Sequence, residues 1–165
     1  MGTWTNSDGL RVLFGTDEAV TGKAGEYCTD GAERVVEVSI AVTPLTTSAV
    51  RQDEFVTLPA GAFITKVELV TLVAVTSSGS GVLNVGLQRL DRTTELDYDG
   101  LIAALPVASF NAAGETVSLT EGVTYHGALI GTELAYPGYL TADYDTADFT
   151  AGTVRVRISY MANVV

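Results

Sequence analysis

The first ordered pattern in the chain begins at Glu33, where Val36, Val38, Ile40 and Val42 fall on one side and Glu37, Ser39 and Ala41 on the other, with Arg34 marking the outer end. Strand side chains alternate between faces, so this spacing predicts a half-buried strand stopped by Pro44 and Thr46-Thr47-Ser48. A second apolar run, Phe55, Val56 and Leu58, meets Pro59-Ala60-Gly61, where a fixed φ followed by glycine freedom suits a turn. The stretch from Phe63 to Val75 predicts the longest strand. Its odd positions carry Phe63, Val67, Leu69, Val73 and Val75, whereas its even positions carry Lys66 and Glu68 before becoming apolar at Val70 and Leu72. That change predicts a bulge, or burial on both faces, near the far end.

Ser77-Ser78-Gly79-Ser80-Gly81 reads as a connection, and beyond it Leu83, Val85 and Leu87 alternate with Asn84, Gly86 and Gln88, which predicts a hairpin with the preceding strand. Between Asp91 and Pro106 the spacing turns helical: Asp99 can cap one or two turns, Leu101, Ile102 and Leu105 can form a small apolar face, and Pro106 can end it. Shorter strands are expected over residues 116–120, 127–132 and 139–144. In the last strand Val154, Val156, Ile158 and Tyr160 face one way, and Arg155, Arg157 and Ser159 the other. The sum is an all-β, antiparallel β-sandwich or jelly-roll-like domain of about seven or eight strands, with one short helix and an extended N-terminal arm. Residues 1–30 form the arm or an edge-strand segment, with an apolar cluster at Leu10, Val12, Leu13 and Phe14, and residues 31–165 form the sandwich.

Composition agrees with the pattern. The 165 residues include 21 Val, 22 Thr and 17 Gly, a β-favouring mixture, and a chain of this size can bury roughly 70% of its unfolded surface in one core. Charge then narrows the function. Twenty acidic residues against nine basic ones give a net −11, which repels phosphates and makes nucleic acid and anionic membranes poor partners. The single cysteine, Cys28, can close no intrachain disulfide, and no cofactor is expected. The start Met1-Gly2-Thr3-Trp4 lacks the pattern of a signal peptide, and Asn6 stands where a myristoylation motif wants Ser or Thr.

Candidate chemistry is sparse. Asp97 and Asp99, and then Asp143, Asp145 and Asp148, place carboxylates close together as calcium ligands do, but the twelfth residue counted from Asp97 is Ala108 rather than a glutamate. Turn-forming aspartates explain the same pattern. Asp143 and Asp145 share a strand face by spacing, yet glycoside hydrolysis needs carboxyls flanking a cleft and nothing in the sequence identifies one. His126 has no second histidine, no Gly-x-Ser-x-Gly elbow exists, and no Lys-Ser or Lys-Thr follows Gly79-Ser80-Gly81, so no enzymatic activity is expected. Features that suit protein contacts are better represented. Trp4 is the sole tryptophan and packs either on its own domain or on a neighbour. Arg155 and Arg157 alternate on an outer face, for pairing within the chain or across an interface. Tyr125, Tyr136, Tyr139 and Tyr144 either finish a core or form sugar-stacking loops.

The opening Thr3-Trp4-Thr5-Asn6-Ser7-Asp8-Gly9-Leu10 with Phe14-Gly15-Thr16-Asp17-Glu18-Ala19, the later Leu58-Pro59-Ala60-Gly61-Ala62-Phe63-Ile64-Thr65-Lys66-Val67 and the closing Thr150-Ala151-Gly152-Thr153-Val154-Arg155-Val156 resemble small virion proteins of tailed bacteriophages, of the marine podophage type. The resemblance covers about a quarter of the chain, contains no catalytic motif and transfers no functional residue. It implies a β-rich capsid decoration (cement) protein, often trimeric, that joins capsomers of the major capsid protein on the outside of the head; a head-fibre base would share the wording. An arm could then anchor through Trp4, Leu10, Val12 and Phe14, with Arg155 and Arg157 as further contact candidates. Strong acidity favours the outer surface of the head over the DNA-lined interior. The rival expectation is a carbohydrate-binding module or receptor-binding knob.

Overall fold

The computed structural model describes residues 2–5, 11–14, 33–52 and 56–162, which fall in two compact units. The first is an antiparallel ribbon of β1 (Gly2–Thr5) and β2 (Arg11–Phe14), in which Trp4 is the register partner of Val12 and Gly2 that of Phe14. Leu10 and Cys28 lie outside the described residues.

The second unit is a β-sandwich of two antiparallel sheets. Sheet I runs in the order β3 (Glu33–Ala41), β11 (Phe149–Ala162), β6 (Ala62–Ser77) and β9 (Thr116–Leu119). Sheet II runs β4 (Val50–Arg51), β10 (Gly138–Asp145), β7 (Val82–Arg89) and β8 (Glu95–Pro106), with β5 (Thr57–Leu58) also pairing β10. Their inner faces meet in one core: Val38 and Ile40 from β3, Val154, Val156 and Ile158 from β11, and Leu83, Val85 and Leu87 from β7 are all buried. Each such side chain contributes about 1.5–3 kcal/mol on leaving water. Phe110 and Phe149 add a tilted aromatic pair 6.1 Å apart, with Tyr144 edge-on to Phe149.

The alternations of β3, β7 and β11 and the strands over 116–119 and 138–145 match expectation, and four features do not. The stretch expected to be helical is strand β8, and the helical residues here are a single 3-10 turn, Val107–Ser109. The spacing of Leu101, Ile102 and Leu105 imitates a helix face because β8 slips register against β7 at three places, so inward positions lose their period of two. Asp99 accordingly caps no helix and lies within β8. Leu101 and Ile102 are both buried although they are adjacent, and the segment after Thr120 covers the free edge of β8 through Ala103 N to Tyr125 O, Gly127 N to Leu101 O and Leu129 N to Gly100 O.

Second, β6 and β7 form no hairpin. Residues 78–81 carry the chain from sheet I to sheet II, where β7 pairs with β8 and β10. Third, residues 127–132 are successive turns rather than a strand, their backbone groups being spent on β8 and on one another. Fourth, beyond the irregularity near Leu72 that matches expectation, β6 carries a second and unexpected one at Thr65, between the pairs Ser159–Lys66 and Tyr160–Ile64. Thr65 Oγ1 bonds Glu33 and the Ser159 carbonyl, and this extra residue turns Ile64 inward and Phe63 outward.

Candidate functional site

Two parts of the sandwich gather polar side chains that the sequence singles out. On sheet II the central strand β7 places Asn84 between its neighbours, and its side chain ties three strands together. Asn84 Oδ1 accepts from Ala104 N on β8 at 2.8 Å, while Nδ2 donates to Asp143 Oδ1 at 2.7 Å and Asp145 Oδ2 at 2.9 Å on β10. Asp143 and Asn84 are each only 8% exposed, so the carboxylate depends on this amide for much of its solvation. Burial pushes the Asp143 carboxyl up; the Asn84 bond opposes this, and Asp145 and Asp99 add repulsion. Asp97 stands against Asp99, and burial, then the Asp99 side-chain bond and charge, raise it to about 6.

Four of the five aspartates considered for calcium, Asp97, Asp99, Asp143 and Asp145, are therefore electrostatic neighbours, whereas Asp148 accepts from the Tyr144 hydroxyl at 2.5 Å. The Asn84 amide nitrogen occupies the place between Asp143 and Asp145 where a cation would sit. Among the described residues no three His, Cys, Asp or Glu side chains form a metal-holding group.

A stability prediction follows with a definite sign. Raised carboxyl pKa values mean that the folded chain holds these protons more tightly than the unfolded chain, whose aspartates titrate near about 3.9. The contribution of Asp97 and Asp143 to stability should therefore grow as pH falls from above about 6 toward about 4. Asp97→Asn is expected to raise Tm by a few degrees at neutral pH and to flatten the Tm profile between neutral pH and about pH 5, as followed by circular dichroism. A profile as steep in the variant as in the parent would contradict it.

The second part is the outer face of sheet I. Arg157 Nε lies 2.7 Å from Glu37 Oε1, an ion pair by distance without hydrogen-bond alignment, and its Nη1 lies 3.9 Å from Glu68 Oε2. Glu68 also takes Lys66 at 3.0 Å. Arg155, two residues along the same face, has no carboxylate partner among the described residues. The two arginines thus part company, because Glu37 and Glu68 flank Arg157 in register while Ser39 and Val70 flank Arg155. Of the arm candidates, Trp4, Val12 and Phe14 fall on the ribbon β1–β2.

The tyrosines do not form one cluster: Tyr144 packs toward Phe149, whereas Tyr125 and Tyr136 are exposed. The Arg89 guanidinium stacks 3.5 Å above the centre of the Tyr136 ring, a pairing whose components lie in different strands and loops. His126 belongs to a turn, its Nδ1 2.6 Å from Val123 O.

No known protein family and no curated protein matches the chain. Solved structures do share its fold. A chain of the capsid of Helicobacter pylori bacteriophage KHP30 superposes with a TM-score of 0.53 at 13% identity, covering 81% of this chain and 90% of that one. A chain of the cyanophage Pam1 capsid asymmetric unit gives 0.54 at 20% identity, covering 90% and 97%. A chain of the capsid of Ralstonia phage GP4 gives 0.53 at 16% identity, covering 85% and 90%.

Proposed function

We propose that this chain is a non-enzymatic structural protein of a tailed-phage virion, a decoration (cement) protein seated on the outer head surface where capsomers of the major capsid protein meet. The observation that supports it most is the extent of the shared fold: three phage capsid structures each contain a chain matched over 90% or more of its length, so a domain of this size and architecture recurs as a complete unit in such shells. The net charge of −11 favours the outer surface, away from packaged DNA. Three copies form a homotrimer, which multiplies weak contacts with the shell so that release of one copy is unproductive. Residues 1–30 serve as the arm, with Trp4, Leu10, Val12 and Phe14 as its anchors.

The test is to mix purified protein with undecorated heads of the parent phage and count bound copies. The full chain is expected to bind stoichiometrically, and a chain lacking residues 1–25 to lose at least about tenfold in occupancy at equal concentration. Equal occupancy by the truncated chain would remove the arm from the account, and failure of the full chain to bind would remove the decoration role. In that last outcome a receptor- or carbohydrate-binding knob gains ground, since Tyr136 presents an exposed ring beside a guanidinium.

A further inference from the structure

We infer that the outer face of sheet I is the surface through which copies of this chain meet, with Arg155 near its centre reaching a carboxylate on the neighbouring copy. This rests on the oligomeric reading above and gives it a surface. The first support is the distribution of apolar side chains. Of ten large hydrophobic residues exposed among the described residues, five, Val35, Phe63, Leu72, Val73 and Met161, lie on strands β3, β6 and β11 of this sheet. Val73, beside the irregularity near Leu72, is 55% exposed, and Val35 within β3 is 48%, both high for valines in strands. Met161 is in register with Phe63 on one side and Glu33 on the other, and Val35 stands diagonally from it, so three of the five form one cross-strand patch.

The second support is charge. Lys66, Arg155 and Arg157 balance Glu33, Glu37 and Glu68 on this face, giving zero, while the chain as a whole carries −11. Any surface that two copies press together must avoid the repulsion of the remaining acidic exterior, and a neutral face of alternating sign does so. The balance also identifies the occupant: a neutral face with one guanidinium left over suits the acidic exterior of the next copy, a heterologous contact of the kind that closes a ring of three. Area is adequate. Four strands spaced about 4.8 Å apart and about nine residues long present about 600 Å², so covering this face by a neighbouring copy buries about 1,200 Å² over both partners, the lower bound of a stable specific interface.

Sedimentation velocity of the full chain and of Val73→Asp, Arg155→Glu and Val123→Asp tests the assignment, with circular dichroism melts to confirm folding. Val123 is as exposed as the face residues but lies in the turn after Thr120, so its variant controls for the loss of an exposed valine. The parent and Val123→Asp are expected to sediment as trimers, and Val73→Asp and Arg155→Glu to associate at least about tenfold more weakly with unchanged melts. Should Val73→Asp fail to fold, Arg155→Glu decides, since it changes a surface charge and disturbs no core. Trimeric variants beside a trimeric parent would overturn the face while leaving the oligomer. A monomeric parent at every concentration would overturn the oligomer and the face with it.

Discussion

Asn84→Asp is expected to lower folding stability by about 4 kcal/mol, a fall in Tm on the order of 10 °C for a chain of this length. Aspartate preserves the acceptor for Ala104 N but replaces the amide donor shared by Asp143 and Asp145 with a third negative charge. Asp143 is 8% exposed, so water cannot take over the lost bond. Ala104 adds to the effect, because its φ of 51° lies in the left-handed region that an alanine adopts only when held there, and the Asn84 side chain is what bonds its N–H. Asn84→Ala is the comparator: it removes donor and acceptor without adding charge and is expected to lose about 2 kcal/mol. Urea melts at neutral pH and near pH 5 separate the two, since protonation relieves the aspartate variant more than the alanine one. A neutral-pH melt of Asn84→Asp within a degree or two of the parent would show that the carboxylates find other partners.

Gly86→Ala should be comparably severe for a different reason. A Cβ built there would stand 2.1 Å from the carbonyl oxygen of Asp97 and 2.3 Å from the carbonyl carbon of Tyr98. Both atoms are backbone, and relief requires moving β8 off β7 at the register slips that shape it. The expected loss is about 3 kcal/mol or more, the upper range for overpacking. Gly114→Ala is the control. Nothing lies within 4 Å of its Cβ, and its φ of +88° carries conformational strain alone, so a loss of about 1 kcal/mol is expected. Equal thermal melts for the two variants would mean that β8 yields easily to a methyl group. The result bears on the polar bridge as well, since Gly86 is the position on β7 between Asn84 and Gln88.

Legibility along the chain followed the range of the interactions involved. Val36, Val38, Ile40 and Val42 were readable because a strand pleat acts between adjacent residues, and all but half-buried Val36 are buried. Phe63 shares the odd-numbered spacing of buried Val67 and Leu69 yet faces outward, because the one-residue slip at Thr65 is held by Glu33 and the Ser159 carbonyl, 32 and 94 residues away. Asp143 and Asp145 were recognised as a pair from their spacing, but the amide between them comes from a strand 59 and 61 residues distant. Arg155 and Arg157 read identically as alternating outward cations, and only their cross-strand neighbours separate an arginine ion-paired to carboxylates from one without a carboxylate among the described residues.

The class of the fold was legible in the chain alone: valine and threonine alternation with turn residues at short intervals makes a half-buried β-sandwich, and the net charge of −11 needs no more than counting. Those properties are local or additive, so they survive without knowledge of which strand lies beside which. Strand pairing, by contrast, is what takes the chain from β6 in sheet I to β7 in sheet II, makes the Leu101, Ile102 and Leu105 stretch a slipped strand rather than a helix, and leaves the outer face of sheet I without net charge and with exposed apolar side chains in an acidic molecule. Each of these depends on strand pairing between residues far apart in the chain, where register and bulges, rather than local propensity, decide which side chains meet.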